Sequence, residues 1–381
     1  AKCYAFIYGD QHEQEKMGVQ MTYCHLETEE IRRFRQEYTI EELREWFYGI
    51  TDAYEKWALF QVEWKEKRNA SIKKVEFPYQ YRDGQKKLAA AVYRTIERQK
   101  KLFIQAPTGV GKTISTVFPA VKALGERLGE KIFYLTAKTI TRTAAEQAFR
   151  KLQEQGLCMK VITLTAKEKI CFCDEVVCNP DVCPYAKGHF DRVNDAVYDM
   201  ITRGDEINRR RIEEQAEKYR VCPFELSLDI SAWVDAVICD YNYVFDPTAH
   251  LKRFFSEGGS KEYIFLIDEA HNLVERGREM YSAVLCKEDF LDAKKLIKRE
   301  DAVLARRLDE VNRLFLALKK ECESVQILNS VSHIALKLMN LLTEMERYLE
   351  EAPDGEKREQ ILELYFQVRS FVSIHDILDE N

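Results

Sequence analysis

Two short stretches of this chain combine residue types that together can hold and cut a triphosphate. APTGVGKT, residues 106–113, follows the apolar run KLFIQ and precedes ISTVFPAVKAL, which reads as a helix. Glycines in such a loop let successive N–H groups turn inward, the helix adds its positive end, and one lysine supplies a mobile charge. Thr108, Gly109, Val110 and Gly111 then wrap the phosphates, Lys112 meets the β and γ phosphates of ATP, and Thr113 holds Mg2+. The strict form of this pattern has glycine at position 106, where this chain has alanine. The second stretch, IDEAH, residues 267–271, ends another apolar run. Carboxyl ends of parallel strands line the ligand crevice, so Asp268 suits Mg2+ through water, Glu269 suits activation of the attacking water, and His271 stands beside them. Glu269, Asp268 and Lys112 are thus the catalytic candidates. Each stretch has a bland reading as a surface turn; the pair together makes a nucleotide site.

Sulfur forms the third concentration. KEKICFCDEVVCNPDVCPY, residues 167–185, holds Cys171, Cys173, Cys178 and Cys183, and Cys222 follows in VCPFELS. Tetrahedral zinc sites favour close Cys-x2-Cys or Cys-x4-Cys pairs. Here the spacings are Cys171-x6-Cys178-x4-Cys183, so spacing alone leaves zinc, an iron–sulfur group and unligated buried thiols all open. Crowded thiolates repel unless a metal neutralises them, so the empty, reduced segment should fold poorly.

The elements that must position these residues follow from periodicity. GVQMTYCHL and IRRFRQEY alternate like strands, and Thr39 with Glu42 makes a capping box. Ile40, Leu43, Trp46, Phe47, Ile50, Tyr54, Trp57 and Ala58 then recur at helical spacing, predicting one long helix to about residue 68, with KEKRNASIKK as a linker. A second helix is expected over 84–100, and a buried strand at KLFIQ, 101–105. KIFYLTA (131–137), KVITLTA (160–166), DAVICDY (235–241) and YIFLIDE (263–269) alternate with helical stretches, which argues for a mostly parallel, doubly covered sheet. From 285 to the end the pattern is helical, with Leu304, Leu308, Val311, Leu314, Phe315 and Leu318 on one face. The fold class is therefore α/β: a parallel-sheet domain with a cysteine-rich, mostly helical insertion, a helical C-terminal region and a small α+β N-terminal part.

Composition bounds the partners. With 381 residues, 46% hydrophobic and 32% charged, the chain reads as a water-soluble protein of several domains, without an apolar run of membrane-spanning length. Without a secretory signal, eleven cysteines suggest metal ligation and a cytoplasmic location. A net charge of -6 advertises no global basic field, so any nucleic-acid path rests on local patches. The first residue is not methionine, which hints at a fragment.

With APTGVGKT and DEAH in place, the chain resembles a DEAH-box superfamily 2 helicase of the XPD/DinG branch, over roughly residues 78–285. YRDGQ supplies Gln85, with Arg82 nearby, which matches the adenine-reading Q motif. TAKTITRTAAEQAF, 136–149, occupies the place of motif Ia, making Thr136, Lys138 and Thr139 candidates for touching the DNA backbone. In this family a 4Fe-4S domain sits between the two nucleotide motifs. Here 154 residues separate Thr113 from Asp268, and KEKIC and VCPF resemble the domain's two ends. The resemblance implies Cys171, Cys178, Cys183 and Cys222 as cluster ligands, with Cys173 spare. Tyr241 and Tyr243, in VDAVICDYNYVFDP, are candidates for stacking on bases, or for packing at a strand end.

The resemblance further implies a helical Arch-like region after DEAH, here incomplete, and a second motor domain that this sequence does not reach, so this piece is expected to bind ATP yet hydrolyse it feebly. Residues 1–68 resemble the tail of a RecB-like PD-(D/E)XK nuclease, Tyr4 matching the tyrosine of its Gln-x3-Tyr helix; a small accessory α+β module is the alternative. The implied organisation is 1–68 partial nuclease-like module, 69–170 and 233–284 the two parts of a RecA-like motor, 171–232 the iron–sulfur insertion, and 285–381 the Arch-like region. The implied function is ATP-driven translocation on single-stranded and forked DNA, 5′ to 3′, in DNA repair or replication, by a monomer. A nucleotide-gated DNA clamp that never translocates is the rival reading.

Overall fold

The computed structural model describes residues 1–25, 30–107, 109–137, 139–256, 262–353 and 355–378. It divides into two units: Ala1–Cys239 with Ser260–Asp268, and Asp240–Gly259 with Glu269–Asn381.

The first unit opens with α1 (Lys2–Gln11) and the antiparallel pair β1 (Lys16–Cys24) and β2 (Ile31–Thr39), in register from Lys16 opposite Thr39 to Cys24 opposite Ile31. Ala5, Phe6, Val19 and Leu43 form its small core. Then α2 runs from Ile40 to Lys74, started by the expected capping box: Glu42 N–H donates to Thr39 Oγ1 at 3.2 Å, and Thr39 N–H donates to the Glu42 carboxylate at 2.8 Å. The helix does not end near residue 68. The stretch expected as a linker forms its last turns, because Trp64, Arg68 and Ile72, four residues apart, share one buried face. Asp235 satisfies that face: Trp64 Nε1 and Arg68 Nη1 each donate to its carboxylate at 2.8 Å, as does Lys160 N–H.

Next come α3 (Gln85–Glu97), α4 (Lys112–Gly125), β3 (Lys131–Leu135), α5 (Thr139–Gln153) and β4 (Val161–Thr163). The cysteine-bearing insertion contributes α6 (Lys167–Ile170), α7 (His189–Thr202), β5 (Glu206–Ile207), α8 (Arg209–Tyr219) and α9 (Pro223–Ser231). With β6 (Ala236–Cys239) and β7 (Tyr263–Ile267) the strands make one parallel sheet in the order β5-β4-β6-β3-β7. Val117, Val121 and Leu124 of α4 and Phe149 and Leu152 of α5 pack on Ile132, Tyr134, Ile238 and Ile264. Central strands β3 and β6 are buried throughout, which is why they read as unbroken apolar runs.

KLFIQ departs from expectation. Residues 101–105 form no strand, and Phe103 is 90% exposed. An apolar run becomes a strand only when a neighbour completes its hydrogen bonds, and among the described residues none pairs with this one; β7 is the sheet edge.

The second unit is helical: α10 (Asn242–Phe245), α11 (Lys252–Phe255), α12 (Leu273–Met280), α13 (Lys287–Ile297), α14 (Ala302–Glu321), α15 (Ser332–Glu351) and α16 (Glu356–Ile377). Leu304, Leu308 and Val311, on the face expected from periodicity, join Phe290, Leu338, Leu341, Ile361 and Val368 in its core. No helix among the described residues is long and apolar enough to cross a membrane. The class is the expected one, α/β with a parallel sheet flanked by helices.

Candidate nucleotide site and thiol cluster

The loop before α4 has its shape set by two glycines. Gly109 and Gly111 take left-handed backbone angles, φ of 80° and 74°, which side chains with a Cβ adopt only at a cost. Gln85 and Arg82 hold that loop from outside. Buried Gln85 donates through Nε2 to Val110 O at 2.5 Å and accepts the Arg82 N–H at 2.7 Å, while Arg82 Nη1 donates to Gly109 O. A methyl group at Gly111 would stand 2.6 Å from Gln85 Nε2, so a larger residue there must displace the Gln85 amide as well as strain the left-handed backbone. The glutamine expected to read adenine thus has both ends of its amide engaged on backbone. Alongside, a pocket of about 540 Å³ is lined by Tyr81, Arg82, Gly84, Lys86, Lys87 and Arg94. Tyr81, Lys86, Lys87 and Arg94 were not singled out from sequence; their signal was the run of basic residues around YRDGQ.

Lys112 begins α4 and its Nζ lies 3.4 Å from Ala106 O; Thr113 is the next residue of the same turn. The direction of α4 follows from its far end. Glu130 N–H donates to Glu262 O at 2.7 Å, and Gly129 sits against Ile264, so the chain leaving α4 lies at the amino end of β7. The 14 residues of α4, about 21 Å long, pack against β3 and β7. Its start is therefore directed to the carboxyl end of those strands. There Asp268 N–H donates to Leu135 O at 3.0 Å, closing the β7–β3 ladder with the carboxylate just beyond it. Thr108 lies outside the described residues.

In the second unit, Glu269 is held in a left-handed conformation, φ 50°, unusual for a side chain of its size. Its carbonyl accepts from Asn272 N–H at 2.9 Å, Asn272 Nδ2 at 3.0 Å and the Tyr241 hydroxyl at 3.2 Å. His271 is well exposed, its Nδ1 3.5 Å from Glu269 Oε2. Tyr241 is fully buried, which corrects the idea that it stacks on bases: its ring is core and its hydroxyl supports the Glu269 backbone. Tyr243 is half-buried, its carbonyl accepting from Leu251 N–H at 2.9 Å. Of the residues expected on the DNA side, Thr136 is buried and hydrogen-bonded through Oγ1 to Thr141, Thr139 opens α5, and Lys138 lies outside the described residues. Tyr4, on α1, is largely exposed.

The insertion's cysteines are all free thiols in two subsets. Cys173 Sγ is 3.8 Å from Cys183 Sγ, and burial with the neighbouring Cys183 and Cys171 pushes the Cys173 thiol up to about 11. Cys222, at the start of α9, is pushed up by burial, with Cys178 among its neighbours. Burial alone would lower Lys167, yet its hydrogen bond with Cys178, helped by Glu225 and Cys222, leaves it raised. Cys222 N–H donates to Nδ1 of buried His189 at 3.2 Å, and His189 Nε2 has no partner. Soft thiol donors in this number suit iron–sulfur or zinc chemistry. However, no three metal-ligating side chains among the described residues stand around one point. Cys173, spare in the ligand set that the resemblance implies, is found against Cys183, a member of that set.

The DEAD_2 family matches residues 136–290. Over those residues this chain is similar to the DEAD_2 family. The human regulator of telomere elongation helicase 1 is 21% identical over 267 residues, covering 56% of this chain and 21% of that protein. The Caenorhabditis elegans homolog is 22% identical over 241 residues, 52% of this chain and 24% of that one. The chain thus spans between a fifth and a quarter of the length of these curated relatives. Among solved structures, one described as XPD_Helicase aligns at a TM-score of 0.49 and 18% identity, covering 78% of this chain and 51% of that one. The DEAD_2 match takes in the DEAH residues and the whole thiol insertion, while the glycine loop lies ahead of it.

Proposed function

We propose that this chain is the ATP-binding part of a DNA helicase, coupling ATP hydrolysis to movement along single-stranded DNA and opening of forked duplex, 5′ to 3′, in repair or replication. The observation that carries the reading is the left-handed glycine loop, tied down by Arg82 and Gln85, feeding an α4 that starts toward the Asp268 end of the sheet. In it Lys112 neutralises the β and γ phosphates, and Thr113 and Asp268 orient Mg2+. Glu269, next in the chain, takes the proton of the attacking water. Lys138 and Thr139 contribute to the DNA side, and buried Thr136 supports that strand end through Thr141.

Cys171, Cys178, Cys183 and Cys222 would hold a 4Fe-4S group, which supplies a covalent brace for the insertion. His189 holds the Cys222 turn through its backbone N–H, and the partnerless Nε2 beside it is the buried polar atom that fits such a group. Residues 1–68 as the end of a nuclease-like module, residues 285–381 as an Arch-like region, a monomeric state and a cytoplasmic setting complete the proposal.

ATP hydrolysis by the full-length parent protein, with and without single-stranded DNA, tests it. Stimulation by DNA that disappears in Lys112→Ala is expected. Hydrolysis indifferent to DNA would favour the nucleotide-gated clamp instead.

A further inference from the structure

The thiol outside the expected ligand set is the one in sulfur–sulfur contact with a member of it. Cys173 and Cys183, nine residues of chain between them, stand 3.8 Å apart. The contact is not isolated. Phe172 and Tyr185 meet edge to face at 5.0 Å on the same two segments, so neighbouring residues zip them together. Cys183 is also fixed by its backbone: its N–H donates to Asn179 O at 2.7 Å, and its carbonyl accepts from Ala186 at 3.2 Å and Lys187 at 3.1 Å. A disulfide requires roughly 2.05 Å between sulfurs, so closure needs less than about 2 Å of movement, supplied by the less constrained Cys173 segment.

We propose that Cys173 and Cys183 are a redox modification site: in the metal-free chain they close into a disulfide that withholds Cys183 from any metal. The withholding rests on the cluster reading above, whereas the disulfide does not. The oxidant is a low-molecular-weight disulfide such as oxidised glutathione. One thiol of the pair, as thiolate, displaces a glutathione thiolate and forms a mixed disulfide. The second thiol then attacks the protein sulfur and expels the other glutathione. The oxidant's S–S bond breaks, the protein's forms, two electrons pass to glutathione, and the two protein protons end on its thiols.

The test uses the chain stripped of metal by a chelator under reductant, then treated with oxidised glutathione at mildly alkaline pH, alkylated, digested and mapped by mass spectrometry. A Cys173–Cys183 linked peptide as the main product, absent from Cys173→Ser, is expected. Links that fall mainly on Cys171, Cys178 or Cys222, or a set of thiols that all remain alkylatable, would overturn the proposal. In a second arm, iron(II) and sulfide are offered to the reduced and oxidised chains and bound iron is counted. The oxidised chain should hold several-fold less, recovered on reduction; equal loading overturns the withholding. A reduced chain that takes up no iron would sink the cluster reading and the withholding with it, while the peptide map still decides the disulfide.

Discussion

Gln85 reaches across 25 positions of sequence to donate its side-chain amide to the Val110 carbonyl at 2.5 Å, packing at the same time on the bare face of Gly111. The Arg82–Gln85 segment and the glycine loop are thereby one mechanical piece. Gln85→Ala should leave Val110 O and Arg82 N–H without partners, at about 1–2 kcal/mol for the loop's closed form. Nucleotide affinity is then expected to fall roughly tenfold with global stability nearly unchanged, as read by calorimetric titration beside thermal unfolding. Gly111→Ala meets both the left-handed backbone and the Gln85 amide, so it should bind ATP more weakly still. Wild-type affinity in Gly111→Ala would show that the loop does not need this shape.

Asp235 takes three donors, from Trp64, Arg68 and the Lys160 backbone, all of them buried. Removing one partner of such a pair leaves an uncompensated charge in the interior, at a cost of about 3–5 kcal/mol. Arg68→Leu is therefore expected to lower the denaturation midpoint of the first unit sharply, whereas Arg44→Leu, at an exposed pair with Asp10, should change it little. Comparable effects from the two would mean that α2 is not docked through this network.

These two sites also show what the sequence disclosed. Strands β3, β4 and β6 were legible because burial on both faces leaves unbroken apolar runs, and the Thr39 box because capping is local. The last turns of α2 were not. Arg68 looks like linker chemistry until Asp235, 167 positions later, is known to receive it. KLFIQ misled in the opposite sense, since apolar character cannot announce a missing neighbour. The burial of Tyr241 and the Cys173–Cys183 contact are likewise tertiary facts that spacing does not carry. The candidate nucleotide residues could be nominated because phosphate binding calls for a fixed residue type and order within one loop.

Asp199 offers a pH test inside the insertion. Burial pushes its carboxyl up, but hydrogen bonds from Lys218, Gln215 and Tyr219 outweigh that and bring it down to about 2 from 3.8. A carboxylate depressed on folding stabilises above its unfolded value and loses that contribution as pH falls through the folded one. Because Lys218 and Arg203 are about half or more exposed, the contribution is on the order of 1 kcal/mol after screening. The stability difference between wild type and Asp199→Asn, measured by urea unfolding, should be full near pH 6 and shrink as pH falls from about 4 toward 2. A difference constant with pH would assign the effect to packing.

Glu269 separates strain from chemistry. A glutamate at φ 50° stores on the order of 1 kcal/mol that glycine would not, and the conformation persists because Asn272 and Tyr241 hold its carbonyl. Glu269→Gly should thus keep or slightly raise the thermal midpoint while abolishing ATP turnover, and Glu269→Gln should abolish turnover with ATP binding retained. The two variants answer different questions: a side chain that serves only to shape the turn would lose little activity as glutamine, since its backbone partners are unchanged. Near-normal hydrolysis by Glu269→Gln would therefore remove Glu269 as the group that activates water, while a destabilised Glu269→Gly would show that the side chain, not the carbonyl, maintains the turn.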